Sequence, residues 1–295
     1  MIDIRYHIYS IAGIFLALAV GIVIGSSFAK TFPSETSGRH TIQRYEQDMR
    51  TLREAIMQAH DTAAKREATI KAWQDYCRAV MPAVVKNKLY WRNVAVIQTG
   101  DSDDLTGSVK EALSLAGAQI TCTVDISSAF PFGDDEKISQ ALSGTGLGST
   151  YDAKADRDRL FRILGETICT GRYPYFIPKL EKAGVAKFSG SCDAPCSLVV
   201  FVGGATSAES SLAQVVDALL AADLEKRGVT VVGCEPSDVT ASYVPVWHKS
   251  GIATVDNADN AMGQTCLIYA LCGESANFGT KDTADRLIPK SLEIK

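Results

Sequence analysis

The five residues Leu198-Val199-Val200-Phe201-Val202, closed by Gly203 and Gly204, decide the fold class of the largest part of this chain. A continuous apolar run of this length, bounded by a glycine turn, is typical of a strand that is buried on both faces of a parallel sheet. Such a strand needs helices above and below the sheet, because its two faces must both be covered. The run therefore predicts an α/β domain.

Shorter runs of the same kind lie on both sides of this strand along the chain. Helical patterns separate them, and this alternation indicates βαβ crossovers. The predicted strands are 94–97, 119–124, 198–202, 229–233 and 252–255, and the predicted helices include 154–170, 175–183, 207–227 and 259–272. We therefore predict a Rossmann-like, doubly wound parallel-sheet domain over residues 90–275. Residues 276–295 follow as a C-terminal tail without a clear pattern.

Upstream of this domain, apolar residues recur by threes and fours over residues 42–82. The series is Ile42, Tyr45, Met49, Leu52, Ile56, Ala59 and Ala63, and it resumes after Arg66 with Ile70, Trp73, Cys77 and Val80. A repeat of about 3.5 residues keeps one narrow seam towards a partner helix, which predicts a coiled-coil stalk and a homodimer. The alternative is an amphipathic helix that folds back onto the α/β domain, although the narrow stripe favours the coiled coil.

The N-terminal residues 1–30 carry the pattern of a transmembrane anchor. No Asp, Glu, Lys or Arg occurs between Tyr6 and Ala29. This length suits a helix that crosses about 30 Å of hydrocarbon. A cleaved signal peptide is the alternative, but the apolar stretch is longer than is usual for one. The pattern therefore favours an uncleaved span with the lipid bilayer as its partner.

Small residues form one face of this helix and recur every four positions at Gly13, Ala17, Gly21 and Gly25. Such a row lets a second helix approach closely, so we expect self-association within the bilayer. A polar linker over residues 31–41 separates the anchor from the stalk. The short N-terminal tail predicts a cytoplasmic N-terminus, a single pass through the cell membrane and an extracytoplasmic α/β domain.

The charge pattern argues against binding to nucleic acid and against a nucleotide cofactor. The 295 residues carry a net charge of −4, and no basic stripe is present for contact with phosphates. The turn at 98–104 lacks the glycine spacing of a dinucleotide site and holds three acids, which would repel a pyrophosphate. Residues 203–207 either hold an anion through backbone N–H groups or form a tight turn whose Ser or Thr caps the next helix, and the second interpretation is favoured.

Cys234 has the position that best suits catalysis, because it follows a predicted buried strand and His248 lies downstream. The neighbouring Glu235 and Pro236 do not fit a nucleophile elbow, which needs small residues on both sides. No Ser-His-Asp or paired-carboxylate pattern accompanies it. We therefore predict that the protein is not an enzyme and has no catalytic residue.

Cys192 and Cys196 are the candidate metal ligands, since they are the closest pair among eight scattered cysteines. Two thiolates four positions apart suit copper(I), a soft ion that favours sulfur ligands. The same two residues could instead close a small disulfide outside the cytoplasm. Cys122, Cys234 and Cys266 fall inside apolar patterns, which indicates buried thiols. Copper(I) is the one cofactor that the residues suggest.

Two segments near the ends of the chain resemble one known family. The first is the apolar segment from Tyr6 to Gly25; the second is Ala253-Thr254-Val255-Asp256-Asn257-Ala258-Asp259, followed by Gly263, Phe278, Gly279 and Pro289. Together they are similar to the two end motifs of the mycobacterial copper transport protein B family. The order of anchor, coiled coil and α/β domain also agrees. This resemblance implies a bacterial envelope protein associated with copper transport and copper homeostasis.

The resemblance leaves two roles open. The leading role is copper handling by a protein that forms no pore by itself, because one apolar helix lines no channel. The alternative is a non-catalytic scaffold that regulates cell division or cell-wall hydrolases through contact with an envelope protein partner. Asp256, Asn257 and Asp259 carry the C-terminal signature. They are placed either to cap the last helix, which is favoured, or to bind a ligand or partner at the end of a strand.

Overall fold

A computed structural model describes residues 4–31, 35–146, 148–150, 152–208 and 211–293. The chain divides into two units, Met1–Lys71 and Ala72–Lys295. The first unit contains helix α1 (Ile4–Thr31) and the larger part of helix α2 (Glu35–Val85). The linker predicted at 31–41 is therefore helical from Glu35 onwards, while residues 32–34 lie outside the described part of the chain.

Helix α1 has the length and composition of a membrane span. Its segment His7–Phe28 comprises 22 residues, and none of it is buried inside the chain. Among the described residues it is the one helix long and apolar enough to cross a bilayer. The N-terminal apolar helix that the sequence predicts is thus present.

Helix α2 exposes most of its length and buries its end. Leu52 and Ile56 of the predicted seam are 56% and 62% exposed. Met81 and Val85, in the last turns, are buried in the core of the second unit. Leu52 and Ile56 of the apolar seam are therefore uncovered by the described part of the chain, while Cys77, nearer the buried end, is partly buried.

The second unit is a mixed α/β domain with one seven-stranded sheet. Its strands are β1 (Asn93–Gln98), β2 (Gln119–Ile126), β3 (Ala186–Gly190), β4 (Leu198–Val202), β5 (Thr230–Cys234), β6 (Ala253–Val255) and β7 (Asn277–Phe278). They lie in the order β3-β2-β1-β4-β5-β6-β7. Only the pair β2 and β3 is antiparallel among the described strands, so the sheet is predominantly parallel.

Helices connect these strands. They are α3 (Asp103–Leu115), α4 (Asp135–Thr145), α5 (Ala153–Thr170), α6 (Ile177–Lys182), α7 (Ala218–Lys226), α8 (Val244–Lys249) and α9 (Ala261–Leu271). Short 3₁₀ turns occupy Pro174–Phe176 and Lys290–Leu292, and a π-helical turn, Ala213–Asp217, precedes α7. The helix predicted over 207–227 therefore begins later than expected.

The two faces of the sheet bury two separate apolar cores. Successive side chains of a strand point to opposite faces, so Phe201 enters one core and Val200 the other. All five residues of β4 are buried, as the apolar run predicts. Residues 277–278, which the sequence assigns to a tail, instead extend the sheet as β7 beside β6.

Candidate functional site

The carboxyl ends of β1, β4 and β5 border an open cleft of about 590 Å³. In α/β sheets this edge is where ligands usually bind. The residues that line the cleft are Asp101, Ser102, Asp103, Asp104, Gly204, Ala205, Thr206, Pro236, Asp238, Val239 and Thr240. Four of them are acids, so the cleft disfavours phosphates and other anions, as the sequence indicates.

The loops that border the cleft are bound to each other. Asp101 accepts hydrogen bonds from the backbone N–H and the hydroxyl of Thr206, both at 2.9 Å. A Cβ atom on Gly100 would lie 2.5 Å from the carbonyl carbon of Gly203, so only glycine allows this approach. The N–H groups of Gly203 and Ala205 donate to backbone carbonyls. These N–H groups therefore do not form an anion cradle.

The predicted helix cap within 203–207 is wrong. Thr206 donates to Asp101 across the cleft, and helical structure resumes only at Ala213. The contact between the two loops therefore replaces the local cap that the sequence suggested.

A buried polar cluster lies behind the β1 loop. One carboxylate oxygen of Asp217 accepts from Thr99 Oγ1 at 3.1 Å and from Trp247 Nε1 at 2.8 Å. Its other oxygen has no partner among the described residues. Burial, only partly offset by these two hydrogen bonds, raises the pKa of Asp217 to about 7. Nothing in the local sequence marked this residue, because its partners come from the residue after β1 and from α8.

Asp256 of the C-terminal signature holds the segment that follows β7. It is 1% exposed and accepts from the backbone N–H groups of Thr280 at 2.9 Å and Lys281 at 2.8 Å. A Cβ atom on Gly279 would lie 1.8 Å from Asp256 Oδ1, so a side chain at this position has no room. Asp256 and Gly279 of the signature therefore pack directly against each other.

The prediction that the signature residues cap the last helix is wrong. The N-cap of α9 is Asn260, whose side chain accepts from Gly263 N at 3.0 Å. Asp259 is exposed and binds the N–H and hydroxyl of Ser237. Asn257 is 1% exposed, and both polar atoms of its side chain lack partners among the described residues. The chain overrides the local capping pattern by shifting the helix start past Asp259.

Glu235 is a further buried acid that the sequence analysis did not select as a functional residue. It is 0% exposed and accepts from Ser242 Oγ at 2.6 Å and Tyr243 N at 2.7 Å. Lys281 also forms an ion pair with it, which joins β5 to the C-terminal segment. An acid placed directly after a buried strand was the available signal. Its partners come from distant parts of the chain.

In the structure the two predicted copper ligands have different neighbours. Cys192 is bonded to Cys122 in a disulfide, so it does not pair with Cys196. Cys196 is buried beside Cys169. The small disulfide between Cys192 and Cys196 is therefore wrong, because β2 supplies the partner of Cys192. In the described part of the chain, no group of three or more His, Cys, Asp or Glu side chains is arranged around a metal position.

Cys234 is the last residue of β5 and is fully buried. Burial raises the pKa of its thiol, which is the opposite of what a thiolate nucleophile requires.

The row of small residues on α1 forms an open face. Cβ atoms built on Gly13, Gly21 and Gly25 would meet nothing within 4 Å.

The fold and these contacts first define a class of protein. It carries an apolar helix near the N-terminus, a long second helix and a mixed α/β domain whose C-terminal segment is held by buried acids. The chain belongs to the family described as "Copper transport outer membrane protein, MctB", whose sequence model matches residues 1–289. This match confirms the resemblance seen at the two ends of the sequence.

Curated relatives agree with this assignment. Proteins named "Copper transporter MctB" from Mycobacterium bovis and Mycobacterium tuberculosis are 26% identical over 326 residues, covering 95% of this chain and 96% of theirs. The protein of the same name from Mycobacterium leprae is 30% identical over 131 residues, covering 44% of this chain and 39% of its own. The family and the candidate span together indicate a membrane protein.

Proposed function

We propose that this protein acts in copper transport or copper homeostasis at a bacterial cell envelope, without enzymatic activity. The observation that carries the proposal is the family match over residues 1–289, together with relatives named as copper transporters over nearly their whole length. The buried thiol of Cys234 supports a non-catalytic role. A single candidate span lines no channel, so transport through a pore would require further chains.

The proposed topology is one pass through the cell membrane with the N-terminus in the cytoplasm. The apolar segment His7–Phe28 supports the span. The disulfide between Cys122 and Cys192 supports an extracytoplasmic α/β domain, because disulfides persist in oxidising compartments. We regard this domain as Rossmann-like and doubly wound, since its strand order runs outward from β1 and β4 and its two cores cover both faces.

The proposed assembly is a parallel homodimer through α1 and a coiled-coil stalk. The seam residues Leu52 and Ile56 are more than half exposed, as an unpaired coiled-coil seam would be. On α1 the open face of Gly13, Gly21 and Gly25, with Ala17 between them, suits close contact with a second copy.

For direct copper binding, the proposed ligands remain Cys192 and Cys196 acting on copper(I). The disulfide to Cys122 removes the thiolate of Cys192, so this site exists only in reduced protein. Asp256 and Asn257 are too buried to reach a ligand in the present conformation, which leaves Asp259 as the accessible member of the proposed ligand- or partner-binding set.

The copper role is tested by deleting the gene in its host and measuring growth against rising copper concentration. We expect greater copper sensitivity, restored by the wild-type gene, because a copper-handling protein is lost. In parallel, the full-length chain in detergent is titrated with copper(I) against a competing chelator, with and without prior reduction.

The titration compares a Cys192→Ser, Cys196→Ser double variant with a Cys234→Ser control. Binding by reduced wild type that is lost in the double variant and kept in the control would place copper at the pair. Unchanged copper tolerance after deletion, with no binding in either redox state, would contradict the proposed function.

A further inference from the structure

The loop between β3 and β4 carries two cysteines, and each one meets a cysteine from another element. Cys192 is bonded to Cys122 of β2. Cys196 lies beside Cys169 in the last turn of α5, close enough for each thiol to shift the pKa of the other. Cys169 and Cys196 are both buried, at 5% and 6% exposure. Like the bonded pair, this second pair consists of one loop cysteine and one cysteine from another element, but both of its thiols are free.

Hydrogen bonds to the backbone hold Cys196 next to Cys169. The N–H of Cys196 donates to the carbonyl of Cys169 at 3.0 Å, and the Cys196 thiol donates to the carbonyl of Ile168 at 3.6 Å. This direct hydrogen bond brings the backbones of the two cysteines into contact, and a disulfide requires backbones that lie close together.

The end of α5 is fitted to this loop. Gly171, which follows the helix, has a φ of 62° and ends it in the left-handed conformation. A Cβ atom on Gly171 would lie 2.3 Å from the carbonyl oxygen of Asp193. The loop backbone thus packs directly on the helix end, so the contact between Cys169 and Cys196 belongs to the folded core.

We propose that Cys169 and Cys196 form a second disulfide in the mature protein. The two thiols lose two protons and two electrons, and a sulfur–sulfur bond forms between them. The oxidant is a protein disulfide of the envelope, which accepts the electrons and protons by thiol–disulfide exchange and leaves as two thiols. The same class of oxidant accounts for the bond between Cys122 and Cys192.

A disulfide suits this environment better than a metal does. Two thiolates around copper(I) would carry a net negative charge, and burial disfavours charge that is not compensated. The positive charge of Arg227 favours the thiolate form of Cys169 and so lowers its pKa, but this guanidinium is already paired with Asp223 and Glu166. A disulfide is neutral and leaves no buried charge.

The second bond has a consequence for copper. It would fix both ends of the loop, with Cys192 tied to β2 and Cys196 tied to α5. The fully oxidised domain then keeps no thiolate on either candidate copper ligand. The inference itself does not rest on the copper role, because it follows from the contacts of the thiols.

The test is a disulfide map of the full-length chain taken from membranes without reductant. Free thiols are blocked with N-ethylmaleimide under denaturing conditions, and the peptides are then identified by mass spectrometry. Of the eight cysteines, we expect four to be alkylated: Cys77, Cys234, Cys266 and Cys272. A linked peptide pair must contain Cys169 and Cys196.

Two variants test the assignment of the second disulfide. In Cys169→Ser we expect Cys196 to become alkylated while the bond between Cys122 and Cys192 remains. The control Cys266→Ser removes a buried thiol of another core and should leave both bonds unchanged. Because the wild-type map needs no substitution, it decides the question even if Cys169→Ser fails to fold.

Three results would overturn the inference. One is alkylation of both Cys169 and Cys196 in chains whose Cys122–Cys192 bond is intact. Another is a peptide linkage between Cys192 and Cys196. The third is a peptide linkage that joins Cys169 or Cys196 to any cysteine other than its proposed partner. The map is made without added copper, so its failure is distinguishable from an unchanged copper tolerance of the deletion strain.

Discussion

The stalk segment of α2 and the central strand β4 contain the same kind of side chain in opposite environments. Leu52 and Ile56 are 56% and 62% exposed, whereas Val200 and Phe201 are fully buried. The sheet has helices on both faces, while Leu52 and Ile56 of the α2 seam are left uncovered by the described residues. The difference teaches that apolar side chains in the α/β domain are covered by its own helices and strands, whereas those of Leu52 and Ile56 stay exposed, which is the observation behind the proposed dimer.

The largest expected effect is on the pH dependence of the free energy of unfolding, and it comes from the buried acid Asp217. Its pKa is raised from 3.8 to about 7, so the folded state holds a proton that the unfolded state releases between these values. Stability contributed by this group is therefore greatest below pH 4 and falls as the pH rises to 7, by about 4 kcal/mol at most.

We expect the Asp217→Asn variant to lose this part of the pH dependence. The measurement is the free energy of unfolding of the full-length chain in detergent at several pH values, followed by the fluorescence of the buried Trp247. Asp238→Asn, a change at an exposed acid on the cleft, serves as the control. Parallel pH profiles of wild type and Asp217→Asn would refute the role assigned to burial.

The next effect concerns Asp256. Its replacement by alanine would leave the N–H groups of Thr280 and Lys281 without their acceptor, so we expect a loss of about 3 kcal/mol in the free energy of unfolding. Denaturant unfolding measures the loss. Asp259→Ala, at the exposed neighbouring acid, should lose less than about 1 kcal/mol. Equal losses in the two variants would mean that burial of Asp256 is not what makes it important.

The smallest effect on the domain is expected from the stalk. Leu52→Glu with Ile56→Glu would place like charges at the seam of the proposed dimer, so self-association should be lost. The free energy of unfolding of the α/β domain should change by less than about 0.5 kcal/mol, since both residues are exposed.

Sedimentation of the full-length chain in detergent measures the oligomeric state of this variant. A matched control, Gln47→Glu with Thr51→Glu, adds the same charges away from the seam. If the Leu52→Glu, Ile56→Glu variant remained dimeric, the exposed stripe would have no role in assembly, and the proposed contrast between the stalk and the α/β domain would be wrong.

The strands buried on both faces could be predicted because their apolar runs are continuous, as in β4. The edge strands β3 and β7 could not. Three of the five residues of β3 are polar or glycine, and β7 has only two residues. An edge strand is defined by the neighbour it pairs with, and a polar sequence does not reveal that neighbour.

At the candidate site, the sequence located the strand ends correctly and misassigned several partners. Acids and glycines at 98–104 and 203–204 do border the cleft. The helix cap, however, is Asn260 in place of the signature acids, because Asp256 is engaged by the segment after β7. Capping patterns describe hydrogen bonds between neighbouring residues. Here the side chain of Asp256 instead accepts from the N–H of Thr280, which is 24 residues away.

What the sequence by itself determined is the apolar helix at the N-terminus, the heptad seam and the parallel character of the sheet. Each is a local pattern of side chains, either an uninterrupted apolar run or a repeat of about 3.5 residues, and such a pattern can be recognised without knowing the fold. Only the tertiary structure decided that Cys192 joins Cys122, that Asp256 holds Lys281 and that Asp217 is buried. These pairings depend on which distant segments pack together, and no local pattern encodes that choice.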